Sequence, residues 1–168
     1  MLREIIPKAA LAMAAYDAGA PKRIAHFMKV WGYARTIGQL ENLDRRTQLV
    51  LELSALTHDI GIKNALEKYG DCSGEHQQEE GPPEAEKLLA ELGYPKEIVQ
   101  RVCWLIAHHH IYREMTSPDY QILVEADFLV NLEENGADTE AVRAAKEKIF
   151  RTEAGLQLLC SLFPAAQE

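Results

Sequence analysis

Apolar residues recur along the chain at helical spacing: Ile24, Phe27, Met28, Trp31 and Ala34, then Leu49, Val50, Leu53 and Leu56, then Ile98, Val102, Leu105 and Ile106. Each set marks one buried stripe, and almost nothing reads as a strand. The punctuation agrees. Pro21, Pro82, Pro95 and Pro118 stand where helical patterns begin, a first-turn position in which a missing N–H costs nothing. Asp44, Ser117 and Asp138 are suitable N-caps, and Gly70, Gly93 and Gly136 follow apolar-periodic runs as stops. Helices are expected near 2–18, 22–41, 44–59, 62–69, 82–92, 95–111, 118–134, 138–150 and 152–162, giving an all-α, compact multi-helix bundle. The polar stretch Gly70 to Gly81, GDCSGEHQQEEG, reads as a surface loop of the kind on which sites are mounted.

Length adds that one domain, 1–168, accommodates the chain, since single cores serve roughly 100–200 residues. A 47% hydrophobic share with 26% charged residues excludes disorder and collagen-like structure. With 26 acidic against 18 basic residues the net charge is −8, which argues against nucleic-acid binding through a basic face and against an anionic membrane surface. Cys72, Cys103 and Cys160 form no CxxC pair, so neither a disulfide framework nor a zinc knuckle is expected and a cytoplasmic setting fits. The opening MLREIIPKAALAMAAYDAGA superficially imitates a signal peptide, but Glu4, Pro7 and Asp17 favour a first amphipathic helix. No stretch has the roughly 18 uninterrupted apolar residues of a membrane span. The apolar run LQLLCSLF, Leu156 to Phe163, is expected as a buried closing helix or a homodimer contact.

The candidate chemistry lies in the histidines. His26, His58 and His109 fall among apolar-periodic residues, as do Asp59 and Asp127, and a carboxylate framed by Ala126, Phe128 and Leu129 requires a compensating positive centre. Alone, each has a structural explanation: His26 as a hydrogen-bonded core residue, His58-Asp59 as a local cap, His76 as a solvated surface residue, and His108 to His110 as a basic helix end. Together, in the order His26, His58, Asp59, His76, His109, Asp127, they form a set of nitrogen and oxygen donors. Such a set suits one or two divalent transition ions (Fe, Mn, Co, Ni or Zn), and the lack of a thiolate points to catalysis over structural zinc.

LTHDIG at Leu56 to Gly61, the upstream His in RIAHFMKVWGYA and the downstream Asp in VEADFLVN resemble the HD-domain superfamily of metal-dependent phosphohydrolases over roughly residues 20–135. The resemblance implies a helical HD bundle in which His26, His58, Asp59 and Asp127 hold one metal, with His76 and one of His108 to His110 holding a second. Along the sixth predicted helix the inward stripe continues to His109, with His110 at its edge as a co-ligand or substrate contact and His108 turned about 100° away. Many relatives carry Lys one position closer to the His-Asp pair than Lys63, which puts a phosphate contact by Lys63 in doubt.

A bound divalent ion acidifies water towards neutrality, so the reaction expected is hydrolysis of a small phosphate ester, a nucleotide or other phosphorylated metabolite, with Asp59 orienting or deprotonating the attacking water. Lys22, Arg23, Lys29, Lys63 and Arg113 are candidate cations for the substrate's phosphate or carboxylate. Two alternatives share the ligand order: an HD-type di-iron oxygenase, and a non-catalytic nucleotide-sensing module. Gly70 to Gly81 and Tyr112 to Ser117 are expected to border the pocket.

Overall fold

The computed structural model describes residues 5–167. Residues 2–4 of the first expected helix lie outside that range. Among the described residues there are nine α-helices, α1 (Ile5–Tyr16), α2 (Pro21–Leu40), α3 (Arg45–Thr57), α4 (Ile62–Tyr69), α5 (Gly74–Glu91), α6 (Lys96–His108), α7 (Pro118–Glu134), α8 (Thr139–Lys148) and α9 (Glu153–Leu162), then a 3-10 turn at Pro164–Gln167, and no strand. No described helix is long and apolar enough to cross a membrane.

Helices α2, α3, α6 and α7 form the centre of the bundle, α2 packing on α3 and α7, and α3 also on α6 and α7. Their stripes interlock through the fully buried Phe27, Ile37, Leu51, Leu53, Leu105, Ile106, Ile122 and Leu123. Burying each such side chain contributes about 1.5–3 kcal/mol. Helix α1 covers α3, α5 covers α6, and α9 closes over α7 and α2. That last helix buries Ala154, Gly155 and Leu159 while Leu162 stays exposed, so the C-terminal apolar run forms a half-buried cover.

The caps explain most boundaries. Asp44 accepts from the N–H groups of Arg46 and Thr47, Asp138 from Ala141, and Thr152 Oγ1 from Gly155. Ser117 precedes α7 as expected, but its hydroxyl accepts from Arg101 Nη2 at 2.7 Å instead of capping. One buried carboxylate does similar work at a distance. Glu125 of α7 accepts from the backbone N–H groups of Arg151 and Thr152 at 2.7 and 3.0 Å, and from Thr152 Oγ1 and Gln121 Nε2, tying the α8–α9 connection to the core.

Of the stretch from Gly70 to Gly81, only Gly70 to Ser73 is a loop; the rest is helix. Helix α5 starts at Gly74, capped by Ser73, and runs through Pro82 and Pro83, so Pro82 is interior and does not begin the helix. The segment is helical because it is seated on its neighbours. A Cβ on Gly61 would lie 2.7 Å from Gln77 O and Gly81 N, and a Cβ on Gly81 would lie 2.7 Å from Ile106 Cγ2. Two residues without side chains let α5 press against the turn after α3 and against α6, and this contact overrides the local preference of a polar, Gly- and Pro-rich sequence.

Candidate metal centre

Two helix ends supply the inner histidines by the same device. His58 is the C-cap of α3, and its Nδ1 lies 2.8 Å from Ala55 O; His109 is the C-cap of α6, and its Nδ1 lies 2.7 Å from Ile106 O. In each case Nδ1–H donates to a carbonyl three residues back, leaving the Nε2 lone pair facing inward. His26 comes from α2, with Nδ1 3.0 Å from Glu134 Oε2. Asp127 comes from α7, and Asp59 from the turn between α3 and α4, where Ile60 and Ile62 donate to Thr57 O and Asp59 O. Ala20 at the start of α2 offers no side-chain cap, and Pro21 takes the first-turn place foreseen for it.

These side chains converge. His26 Nε2 lies 3.2 Å from His58 Nε2, 3.2 Å from Asp127 Oδ1 and 3.3 Å from Asp59 Oδ2. His58 Nε2 lies 3.4 Å from both carboxylates, and His109 Nε2 is 3.6 Å from Asp59 Oδ1. His58 is fully buried, and His26, His109 and Asp127 nearly so. Burial by itself would lower the His58 pKa, but the charges of Asp59 and Asp127 outweigh it and hold the imidazole well above its ordinary range. His26 rises as well: burial opposes, and hydrogen bonding to Asp127 prevails. Burial would likewise raise both aspartates, yet the charge of His58 holds them well below the carboxylate range. The protonated imidazoles and the two carboxylates thus balance one another, and a bound divalent ion would take the place of the imidazole protons.

A divalent ion fits this set. Ligands about 2.1 Å from one ion are separated by roughly 3.0 Å along an octahedral edge and roughly 3.4 Å along a tetrahedral one, which brackets the 3.2–3.4 Å that separate His26 and His58 from each other and from the oxygens of Asp59 and Asp127. Two imidazole nitrogens approach each other to 3.2 Å, and among the described residues buried His109 Nε2 has no hydrogen-bond partner. Both are explained by a ligand role. Donor atoms group as His26, His58 and Asp59, and as Asp59, His109 and His110, with Asp59 common to both. Either group could hold a metal ion.

A family model described as HD domain matches residues 23–146. The chain belongs to the HD-domain family. The fold is similar to a solved structure described as a predicted HD superfamily hydrolase from an uncultured Thermotogales bacterium, with TM-score 0.64 and 24% identity over 98% of this chain and 86% of that one; at this identity the likeness speaks to the fold. No curated protein matches.

In this HD domain the histidine triplet divides by its place on the helix end. His108 turns outward and stacks on Trp104 at 4.0 Å, His109 enters the cluster, and His110 donates from Nε2 to Gln77 Oε1 at 3.1 Å. Burial, reinforced by His109, pushes the His110 pKa down to about 4. His76 is not brought to either group. Its ring stacks on Tyr69 at 3.9 Å and its Nδ1 pairs with Asp71 at 2.7 Å. The side chain from α5 that reaches the site is Gln77, one residue further on, buried and anchored through Nε2 to Cys72 O at 2.7 Å.

Above the cluster lies a pocket of about 320 Å³. His26, Asp59 and Asp127 contribute to its floor, Gln77 and His110 to one side, and Lys22, Arg23, Asn131 and Glu134 to the rest. Of the five cations foreseen for a substrate anion, only Lys22 and Arg23 line it. Lys29 is held by Glu133 and Glu134 at 3.1 and 3.3 Å, and Lys63 sits 5.1 Å over the Tyr16 ring. Sequence reasoning missed Gln77 and Glu134. The spacing Asp127, Asn131, Glu134 along one face of α7 was the available signal for Glu134.

Proposed function

We propose that this HD-domain protein is a metal-dependent phosphohydrolase that cleaves a small phosphate ester, a nucleotide or other phosphorylated metabolite, in the pocket above His26, His58, Asp59 and Asp127. The observation that carries the reading is the meeting of His26 Nε2 and His58 Nε2, 3.2 Å apart, each with an Asp59 and an Asp127 oxygen at 3.2–3.4 Å, beside a pocket that His26, Asp59 and Asp127 line. Their nitrogen and oxygen chemistry suits a borderline divalent ion. When bound, such an ion supplies Lewis acidity, acidifying water and polarising a phosphoryl oxygen. The solved structure with the similar fold is itself described as a predicted hydrolase.

The chain's own residues do the rest. His58 and His109 are locked by their Nδ1–H bonds to carbonyls, so their Nε2 atoms stay aimed inward without reorganisation. Glu134 does the same for His26. Asp59 is the cluster carboxylate most open to the pocket, its side chain 22% exposed against 6% for Asp127. Its Oδ2 faces His26 and His58 and its Oδ1 faces His109, so it reaches both donor groups and is placed to orient water and accept its proton.

The test is elemental analysis of the purified protein, followed by a phosphatase and phosphodiesterase screen with the metals found. Release of phosphate that depends on Mn or Co supports the reading. Two tightly held irons with a mixed-valence EPR signal and oxygen-dependent turnover overturn it in favour of an oxygenase. If folded His58→Ala and Asp127→Ala proteins bind metal as well as the parent, the site itself is wrong.

A further inference from the structure

The pocket wall formed by the first turn of α2 carries two cations whose charge is not consumed by the metal cluster. Lys22 and Arg23 stand four and three residues before His26, one helical turn or about 5.4 Å of rise away, on the wall of the same pocket. Among the described residues no carboxylate pairs with Lys22. Arg23 has one partner, Asp17 Oδ1, 3.1 Å from its Nε. That leaves both terminal nitrogens of the guanidinium uncommitted, the pair of donors whose spacing matches two oxygens of a phosphate or carboxylate.

Asp17 shows that this placement is built. It is only 5% exposed, in the corner between α1 and α2, where an acidic side chain is costly to bury. Its role there is to hold Arg23 by one nitrogen and fix the direction of the rest of the group. The nearby Glu134 does not compete for Arg23, because it is engaged by His26 and Lys29.

We propose that Arg23, positioned by Asp17, and Lys22 form the phosphate-recognition edge of this pocket and set its preference for substrates carrying a phosphoryl group beside the one at the metal cluster. The assignment rests on the phosphohydrolase reading for the site's chemistry but is tested separately from it. Arg23 supplies geometry through its fork, and Lys22 supplies charge at the open rim. A domain of net charge −8 thus attracts an anion through two local cations beside the histidine and aspartate cluster.

The probes are inorganic phosphate and pyrophosphate, titrated into the purified protein by calorimetry, with metal content measured on the same samples. Expected is that Arg23→Ala weakens pyrophosphate binding at least tenfold and Lys22→Ala several-fold, that Arg23→Lys restores part of the loss, and that metal content is unchanged. Asp17→Asn is expected to weaken binding several-fold while leaving the near-ultraviolet circular dichroism of the fold intact. Should Asp17→Asn fail to fold, Arg23→Ala against Arg23→Lys still decides. Parent-like pyrophosphate binding by Arg23→Ala, an equal loss with Lys29→Ala, or no binding by the parent would each overturn the proposal. If the protein releases phosphate from esters with a KM indifferent to Arg23, the edge is wrong and the phosphohydrolase stands. If it binds pyrophosphate through Arg23 yet hydrolyses no ester, the edge stands and the phosphohydrolase is wrong.

Discussion

The same substitution, glycine to alanine, is expected to act with opposite sign at two positions of this protein. Gly61 follows the His-Asp pair with φ −72° and ψ −15°, a conformation alanine adopts without strain. Reduced freedom of the unfolded chain would therefore favour Gly61→Ala by about 0.4–1 kcal/mol. Against this, the new Cβ would lie 2.7 Å from Gln77 O, 2.7 Å from Gly81 N and 2.9 Å from Gly81 Cα. All three are backbone atoms of α5, so no side chain can rotate away and the helix itself must lift. Overpacking of this kind costs about 1–3 kcal/mol, and backbone partners place it in the upper part of that range, for a net loss of about 1–2 kcal/mol. Gly32, on the exposed face of α2, has nothing within 4 Å of a built Cβ, so Gly32→Ala is expected to gain about 0.5–1 kcal/mol from helix propensity alone. Urea unfolding reads both, with m unchanged. Because Gly61 lies two residues from Asp59 and beneath Gln77, only Gly61→Ala should also weaken metal binding. A Gly61→Ala protein as stable as the parent, or a Gly32→Ala protein less stable, would refute the claim that the seat of α5 on the His-Asp turn organises the site.

Removing the Glu134 carboxylate frees His26 Nδ1 and lets its ring turn, so Glu134→Ala is expected to lower metal affinity about 10–100-fold in a chelator competition; unchanged affinity would mean His26 is oriented by packing alone. Glu125→Ala leaves the part-buried N–H groups of Arg151 and Thr152 without their acceptor, at about 1 kcal/mol each, and a thermal or urea unfolding loss under about 1 kcal/mol in total would show that water replaces the carboxylate. Burial would raise the Asp119 pKa, but its paired hydrogen bonds with Arg101 at 2.9 Å lower it on balance, so its contribution is present at neutral pH and lost as pH falls below about 4. Asp119→Asn should accordingly be less stable than the parent at pH 7 by about 1–2 kcal/mol, allowing for the partial exposure of Arg101, with the gap narrowing progressively in melts taken below about pH 4; a gap that does not narrow there would place the effect outside the ion pair.

Local physics determined much of this protein. Apolar periodicity, first-turn prolines and side-chain caps act within a few residues, so α2, α3, α4 and α7 lie within about two residues of where the pattern puts them. The His-Asp pair, the upstream His26 and the downstream Asp127 could be singled out because each is a polar side chain on an apolar stripe, an expense that announces a partner. The choice of His109 within the triplet followed from the same stripe, and the bundle does turn His109 inward and His108 onto Trp104.

What crosses between helices was decided only by the fold. Helix α5 forms from a sequence that favours a loop because Gly61 and Gly81 let it pack down, and its seating presents Gln77 to the site instead of His76, a difference of one residue and about 100° of rotation. Glu134 behind His26, and Asp17 behind Arg23, act over hydrogen bonds between side chains that no short-range pattern relates to the histidine and aspartate cluster. Spacing along one helix fixes which residues share a face; which face meets which neighbour depends on how whole helices cross, and that is settled by the packing of the entire core.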